Sequence, residues 1–258
     1  MASVDEPAVL ELIDADWLPG QQQAHELLTP AGESPHTLVV CDPHGEVVGA
    51  VLCQVRTEDD AGLIVWLHGR EDFEVIAALI ALARAQLGNR VLYACTGPAT
   101  ATGIPGLPAG HRPVTARALT AAGFTQASRQ RYFLRDLTDV PPAPPTYPLA
   151  DATDLARPAG WRLELTGTDG QPLASGTLLA PAPATADMAV LSQLTVQCGQ
   201  RRHGIGSHLL AQCLHRAHTN GASHVTAVIP EGDTAAARFL ASAAFLLLDT
   251  LTVYHRRP

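Results

Sequence analysis

The sequence contains no lysine, so all 17 residues of its Lys+Arg count are arginine. Together with abundant alanine and proline, this composition is typical of proteins encoded by GC-rich genomes and indicates a bacterial source. Charged residues are scarce, at 16%, whereas 47% of the residues are hydrophobic. The chain can therefore bury a large core, which argues against global disorder, and its 258 residues are enough for two domains.

The sequence also lacks an apolar run of the length that a membrane-spanning helix requires. Its first residues, MASVDEPAVLELIDADW, are acidic and differ from a secretory signal. The five cysteines are odd in number and show no CxxC spacing, a pattern that predicts neither a disulfide framework nor a zinc site. We therefore expect a cytoplasmic protein without a membrane partner.

The 25 acidic residues outnumber the 17 basic ones, and the formal net charge is −8 at pH 7. A negative surface repels the phosphates of nucleic acids, so we expect no nucleic-acid partner. The same charge suits a cationic small substrate, although acidity that only keeps the protein soluble is the simpler explanation.

A proline-rich stretch, VPPAPPTYP at 140–148, is the best candidate for a linker. Its prolines favour an extended, semi-rigid spacer. The sequence therefore predicts one domain at 1–139 and a second at 149–258.

The same order of elements is predicted on both sides of this linker: hairpin, strand, helix, strand, short helix, strand. Before this series, residues 9–17 fit either a strand or a short helix, and residues 21–28 favour a helix. The repeated order indicates a duplicated α/β unit. We expect two domains, each with a central, mostly antiparallel sheet flanked by helices.

The most informative stretch is 188–210, MAVLSQLTVQCGQRRHGIGSHLL. A strand at 188–196 leads into a polar turn, the glycines Gly204 and Gly206, and a helix that begins near Ser207. The first turn of a helix has unpaired N–H groups and the positive end of the dipole. Glycines let the backbone approach a phosphate closely. The stretch therefore predicts a pyrophosphate-binding loop.

This loop resembles the signature Gln/Arg-x-x-Gly-x-Gly/Ala of the GNAT family of N-acetyltransferases. Arg201-Arg202-His203-Gly204-Ile205-Gly206 matches it, and Leu194-Thr195-Val196 precedes it as the family's Leu-x-Val does. The second family signature is matched in part, with Asp for Asn, Leu for Tyr and Ala for Gly. Its matching positions are Asp233, Ala236, Phe239, Leu240, Ala244 and Phe245.

The resemblance implies acetyl-CoA, or another acyl-CoA, as cofactor and no metal. The reaction would be direct attack by an amine of a small molecule or peptide on the acyl group. The residues implied to bind the cofactor are Leu194, Thr195, Val196, Arg201, Arg202, His203, Gly204, Ile205, Gly206, Ser207 and Asp233.

An amine nucleophile needs a base, and Glu231, just past a predicted strand, is the candidate catalytic residue. A loop or helix-capping acid is the simpler interpretation of Glu231, and Asp187 and Glu164 are weaker alternatives. The family's tyrosine, which protonates the leaving thiolate, is replaced by Leu240. The alternative function is therefore a weak or inactive CoA-binding protein with a sensing or structural role.

Other polar residues have simpler explanations. Cys198 is more consistent with a small turn residue than with a nucleophile, and Tyr254 with a half-buried strand tyrosine. Three histidines, His208, His215 and His218, follow the loop and fit solvated helix polarity better than a metal site.

The first half resembles a degenerate copy of the second. TARALTAAGF at 115–124 is similar to the second signature, but the loop at 67–72 lacks the paired glycines. It carries Glu71 and Asp72 instead, and their negative charge would repel a pyrophosphate. We therefore expect no cofactor in the first half.

Overall fold

The computed structural model describes residues 6–19, 35–95, 106–138, 150–181 and 187–258. The chain divides into two compact units: Met1–Gln130 together with Asp249–Pro258, and Arg131–Leu248. These units do not coincide with the halves on either side of the predicted linker, because most of the last strand belongs to the first unit. The linker at 140–148 and the helix expected at 21–28 lie outside the described residues.

The first unit contains a mixed sheet in the order β1-β2-β3-β4-β12. Antiparallel pairs join β1 to β2, β2 to β3 and β4 to β12, whereas β3 and β4 are parallel. The short β5 pairs with β12. The strands are β1 His36–Cys41, β2 Val47–Arg56, β3 Ala61–His68, β4 Leu92–Ala94, β5 Leu107–Pro108 and β12 Leu246–Arg256.

The turn between β1 and β2 forms as the sequence predicts. Asp42 Oδ1 accepts hydrogen bonds from the main-chain N–H groups of His44 and Glu46, both at 2.9 Å. Gly45 then takes a left-handed conformation, with φ of +88°. This Asx-type turn fixes the hairpin register.

Within the described part of the first unit, three helices cover both faces of its sheet: α1 Glu6–Ala15, α2 Phe73–Leu87 and α3 Pro113–Ala121. Alternate residues of β2 point to opposite faces, as a strand requires. Ala50 and Leu52 pack in the cluster that contains α1, whereas Val51 and Cys53 pack in the cluster that contains α2. The ambiguous segment at 9–17 is therefore largely helical, because its apolar side chains cover one face of the sheet.

The second unit contains the sheet order β6-β11-β10-β9-β8-β7 and two helices. Its β6 begins in the first unit, as the division at Gln130 requires. The elements are β6 Thr125–Asp136, β7 Asp151–Ala156, β8 Ala159–Thr166, β9 Pro172–Leu179, β10 Met188–Val196, α4 Ile205–Thr219, β11 His224–Pro230 and α5 Thr234–Ser242.

The core of the second unit lies on one face of this sheet. Along β8, Leu163 and Leu165 are buried in the cluster that contains α4 and α5. Arg162, Glu164 and Thr166 alternate with them and are exposed. Burial of β8 is therefore one-sided, as is common for a strand of an antiparallel sheet with one solvated face.

The order hairpin, strand, helix, strand, short helix, strand occurs twice along the chain. The first series runs from β1 to β6 and the second from β8 to β12, with β5 and β7 as additional strands. This is the order that the sequence predicts. In the described ranges, no helix is both long enough and apolar enough to cross a membrane.

Candidate cofactor-binding site

Two neighbouring strands of the second unit separate at the site. In the described range 187–258, β10 pairs with β11 in parallel from Met188 to Leu191, and no further pairs follow. On its other side, β10 stays paired with β9 as far as Val196. One edge of Leu194–Val196 therefore lacks a strand partner at β11 and faces an opening.

The helix α4 begins beside this opening and carries no side-chain cap. Its N-cap residue is Gly204, with φ of +79° and no atom within 4 Å of the position that a Cβ would take. A Cβ on Gly206 would lie 3.2 Å from Val196 Cγ2 and 3.7 Å from the Phe239 ring. Because both positions are glycine, the helix N–H groups are accessible and close to the strand end.

A cavity of about 580 Å³ joins the helix start to the open strand edge. Nine of the eleven residues proposed to bind the cofactor line it: Leu194, Thr195, Val196, Arg201, Arg202, Gly204, Gly206, Ser207 and Asp233. His203 and Ile205 do not. Ile205 is 6% exposed and packs in the core, so its contribution is to anchor the first turn of α4.

Three further lining residues come from α5: Ala235, Ala236 and Phe239. The partial second signature includes Ala236 and Phe239, but neither residue was predicted to bind the cofactor. The short alanine side chains leave space for a ligand beside α5, and the Phe239 ring provides an apolar surface.

The charges at the cavity favour an anion. Arg201 and Arg202 line it beside the positive end of the α4 dipole. Arg201 Nε donates to the Val196 carbonyl at 3.2 Å, which holds this side chain against the strand end. Asp233 caps α5 instead: its Oδ1 accepts from the Ala236 N–H at 2.9 Å. That carboxylate therefore faces the positive end of a second helix.

The three candidate bases lie outside the cavity lining. Glu231 follows the last residue of β11 and is half-buried. Asp187 precedes β10, about 30 Å along the strand from Val196, and its carboxylate binds the Ser223 hydroxyl. Glu164 is exposed on β8, 3.5 Å from Arg162 Nε.

The position of the family's tyrosine is filled by a core residue. Leu240 is 3% exposed and packs among the apolar residues of α4 and the sheet. Tyr254 belongs to the first unit and is 1% exposed, so it is fully buried rather than half-buried. Burial raises the pKa of its hydroxyl.

The histidines of α4 differ from one another. His208 is 6% exposed, and the Gln212 side-chain amide lies 2.7 Å from its Nε2. It is therefore an internal polar residue, contrary to the expected solvated helix polarity, whereas His218 is exposed. Cys198 lies exposed in a 3₁₀ turn before the loop. Across the described ranges, no group of three or more His, Cys, Asp or Glu residues is arranged to hold a metal.

The corresponding loop of the first unit has a different structure. Asp72 caps α2, accepting hydrogen bonds from the N–H groups of Glu74 at 2.9 Å and Val75 at 3.2 Å. The Glu71 carboxylate accepts from Val114 N–H at 2.7 Å, at the start of α3. The helix N-termini that would face a ligand are therefore bound by the protein's own carboxylates.

Comparison with known proteins finds one family model that matches part of the chain. Residues 129–245 match the family model of the acetyltransferase (GNAT) family. No protein of curated function matches the chain significantly.

Solved structures resemble nearly the whole chain. A GCN5-related N-acetyltransferase from Sphaerobacter thermophilus is 16% identical with a TM-score of 0.67, covering 98% of this chain and 93% of its own. A tandem GNAT protein from the clavulanic acid biosynthesis pathway, solved without AcCoA, is 17% identical with a TM-score of 0.60, covering 99% and 96%. A GCN5-related N-acetyltransferase from Kribbella flavida is 15% identical with a TM-score of 0.56, covering 100% and 97%.

At these identities the structural likeness establishes the fold, and the family assignment rests on the sequence match. The family's activity is the transfer of an acyl group from acyl-CoA to an amine. The match to the acetyltransferase (GNAT) family model spans residues 129–245, which include every residue that lines the cavity beside α4.

Proposed function

We propose that this protein transfers the acetyl group of acetyl-CoA to an amine. The observation that carries the proposal is the cavity between the uncapped start of α4 and the open edge of β10. It combines helix N–H groups, two arginines and a free strand edge within a family domain.

The residues of the loop fit the pyrophosphate of an acyl-CoA. The N–H groups of Gly206 and Ser207 would bind its oxygens, and Arg202 would add charge-assisted hydrogen bonds. Gly204 and Gly206 have no side chain that would block this approach. When bound, acyl-CoA supplies an acyl group activated as a thioester.

The open edge of β10 would hold the pantetheine arm. Main-chain groups of Leu194–Val196 can add to an extended amide chain as one strand adds to another. A main-chain N–H at this edge would also polarise the thioester carbonyl and stabilise negative charge on its oxygen. These interactions use backbone atoms, so the side chains of 194–196 are free to vary.

The acceptor amine must be neutral when it attacks, so a base is required. We assign this role to Glu231, which follows β11 on the side of the sheet where β10 and β11 separate. A cationic small molecule or peptide amine is the acceptor class that the net charge of −8 favours.

Burial of Leu240 supports a second candidate function. This side chain cannot donate a proton and points into the core. A thiol with a pKa near about 8.5 can leave without an acid, which permits catalysis. The same observation also suits a protein that binds acyl-CoA as a sensor or structural component and does not turn it over.

The test is to titrate the purified chain with acetyl-CoA by calorimetry and to measure thiol release with a panel of amines. Binding together with amine-dependent thiol release supports the enzyme. Binding without release for any amine supports the sensor, and the absence of binding overturns both functions.

A further inference from the structure

The first unit contains a buried cluster of charges that the proposed function does not use. Arg112 is 5% exposed and lies at its centre. One of its terminal nitrogens is 3.3 Å from Asp16 Oδ2, and its Nε is 3.3 Å from Glu71 Oε1. The same terminal nitrogen donates to the Leu67 carbonyl and to Thr115 Oγ1, both at 2.9 Å.

The Glu71 carboxylate sits in a complete set of donors. Its Oε2 accepts from the N–H groups of Val114 at 2.7 Å and Thr115 at 3.1 Å, the first turn of α3. Its Oε1 accepts from the Thr115 hydroxyl and from Arg112 Nε. Two helix N–H groups, a hydroxyl and a guanidinium form the kind of site that binds a free anion.

The backbone is strained where it delivers this carboxylate. Arg70 and Glu71 have φ angles of +51° and +55°, in the left-handed region that disfavours residues with a Cβ. Two consecutive residues of this kind persist only where surrounding contacts hold them. Arg70 makes a long ion pair, 3.8 Å from Glu11, whereas Glu71 makes the four hydrogen bonds described above. The Glu71 contacts therefore act together with the hydrogen bond from the Asp72 N–H to the Gly69 carbonyl, at 2.9 Å, to hold the loop.

We propose that the first unit contains a carboxylate-binding site, built from Arg112, Thr115 and the start of α3, which Glu71 fills as an internal ligand. The loop backbone places the Glu71 carboxylate in the site, but all the donor groups of the site belong to other residues. Once this side chain is removed, the site takes up a free small carboxylate such as formate.

The test uses Glu71→Gly in the full chain, because glycine accepts the positive φ and only the carboxylate is lost. Removal leaves Arg112 Nε and two main-chain N–H groups without their acceptor, in a site from which water is largely excluded. The melting temperature then falls on the order of 10 °C. Sodium formate raises it again, in a saturable manner, relative to sodium chloride at the same ionic strength.

The matched control is Arg70→Gly, which relieves the same strain in the neighbouring residue and keeps the ligand. Its melting temperature equals or exceeds that of the original chain and responds equally to formate and chloride. A formate response of the same size in both variants overturns the proposal, as does a Glu71→Gly chain that is as stable as the original.

Glu71→Gln keeps the volume of the side chain and removes its charge. It is destabilised without a specific formate response, because the amide still occupies the site. This variant decides the question if Glu71→Gly does not fold, since full stability of Glu71→Gln means that the site does not select a carboxylate.

Discussion

The loops that follow β3 and β10 occupy the same place in the two series of elements, between a strand and a helix. After β10, the helix α4 begins with Gly204 and no cap, and two arginines line the adjoining cavity. After β3, Asp72 caps α2 and Glu71 binds the start of α3. The loop after β10 leaves the N–H groups of its helix available to a ligand, whereas the loop after β3 supplies carboxylates that accept the corresponding hydrogen bonds. One loop position therefore either leaves helix N–H groups open or pairs them within the fold, depending on whether glycine or a carboxylate occupies it.

The largest effect is expected from giving the second loop the charge of the first. Gly206→Glu places a side chain against Val196 and Phe239 and a carboxylate at the start of α4. We expect acetyl-CoA affinity to fall roughly 1000-fold, about 4 kcal/mol, when measured by calorimetry.

Gly199→Glu is the matched control for this substitution, because it adds the same charge nearby where no atom lies within 4 Å. It changes affinity little. If both variants bind acetyl-CoA equally well, the assignment of the loop is wrong.

The second prediction concerns a feature that the two series share. Leu119 and Leu240 each stand five residues before the phenylalanine that follows the short helix, Phe124 or Phe245, and each leucine is buried. Leu240→Ala leaves a cavity and lowers the free energy of unfolding by about 2–5 kcal/mol, and Leu119→Ala does the same. Urea unfolding measures both, and an unchanged midpoint for Leu240→Ala would show that this side chain is not a core residue.

The third prediction is a pH dependence that arises in the first unit. Burial, with the charge of Arg112, lowers the pKa of His68 from 6.5 to about 4, although its Nδ1 is 3.0 Å from Asp16. The unfolded chain therefore takes up a proton that the folded chain does not. This contribution to stability is complete above about pH 6.5 and is lost as the pH falls towards 4, by up to about 3 kcal/mol.

His68→Gln reduces this slope when melting temperature is followed from pH 7 to pH 4, whereas the exposed His218→Gln in the second unit does not. Equal slopes in both variants would mean that His68 does not carry the effect.

The smallest effect is expected from Asp72→Ala, which tests whether the first loop stabilises a helix or binds the cofactor. Asp72→Ala removes the side-chain acceptor for Glu74 and Val75 and lowers the free energy of unfolding by about 1 kcal/mol. Acetyl-CoA affinity stays the same, because the proposed site uses α4. A loss of affinity in Asp72→Ala would show that the first loop takes part in binding.

Local patterns in the sequence predict much of this structure. The order of strands and helices in both series is predicted, and the glycines at 204 and 206 predict an open helix start. The polar strand Asp151–Ala156 was missed, because DATDLA has little apolar alternation and forms β7 by pairing with β8. The burial of His208 was missed for a similar reason, since its environment depends on packing and on Gln212.

The role of Glu71 could not be predicted, because its partner Val114 is 43 residues away in the chain. The sequence shows the charge of the loop but not the donors that surround it. The division of the chain into units could not be predicted for the same reason. It depends on the pairing of β12 with β4, which joins Tyr254 to Ala94 from distant parts of the chain. Non-local contacts of this kind leave no pattern in a window of neighbouring residues.

The place of β12 has a consequence for biosynthesis. The second unit ends at Leu248, whereas the first needs Asp249–Pro258, a segment that follows the whole of the second unit in the chain. Domains usually fold in the order of their synthesis. Here the first unit acquires its last strand only after the whole of the second unit, with the cavity beside α4, has been synthesised. A nascent chain stalled near Leu248 would expose the β4 edge, which makes that edge the point where a chaperone is most needed.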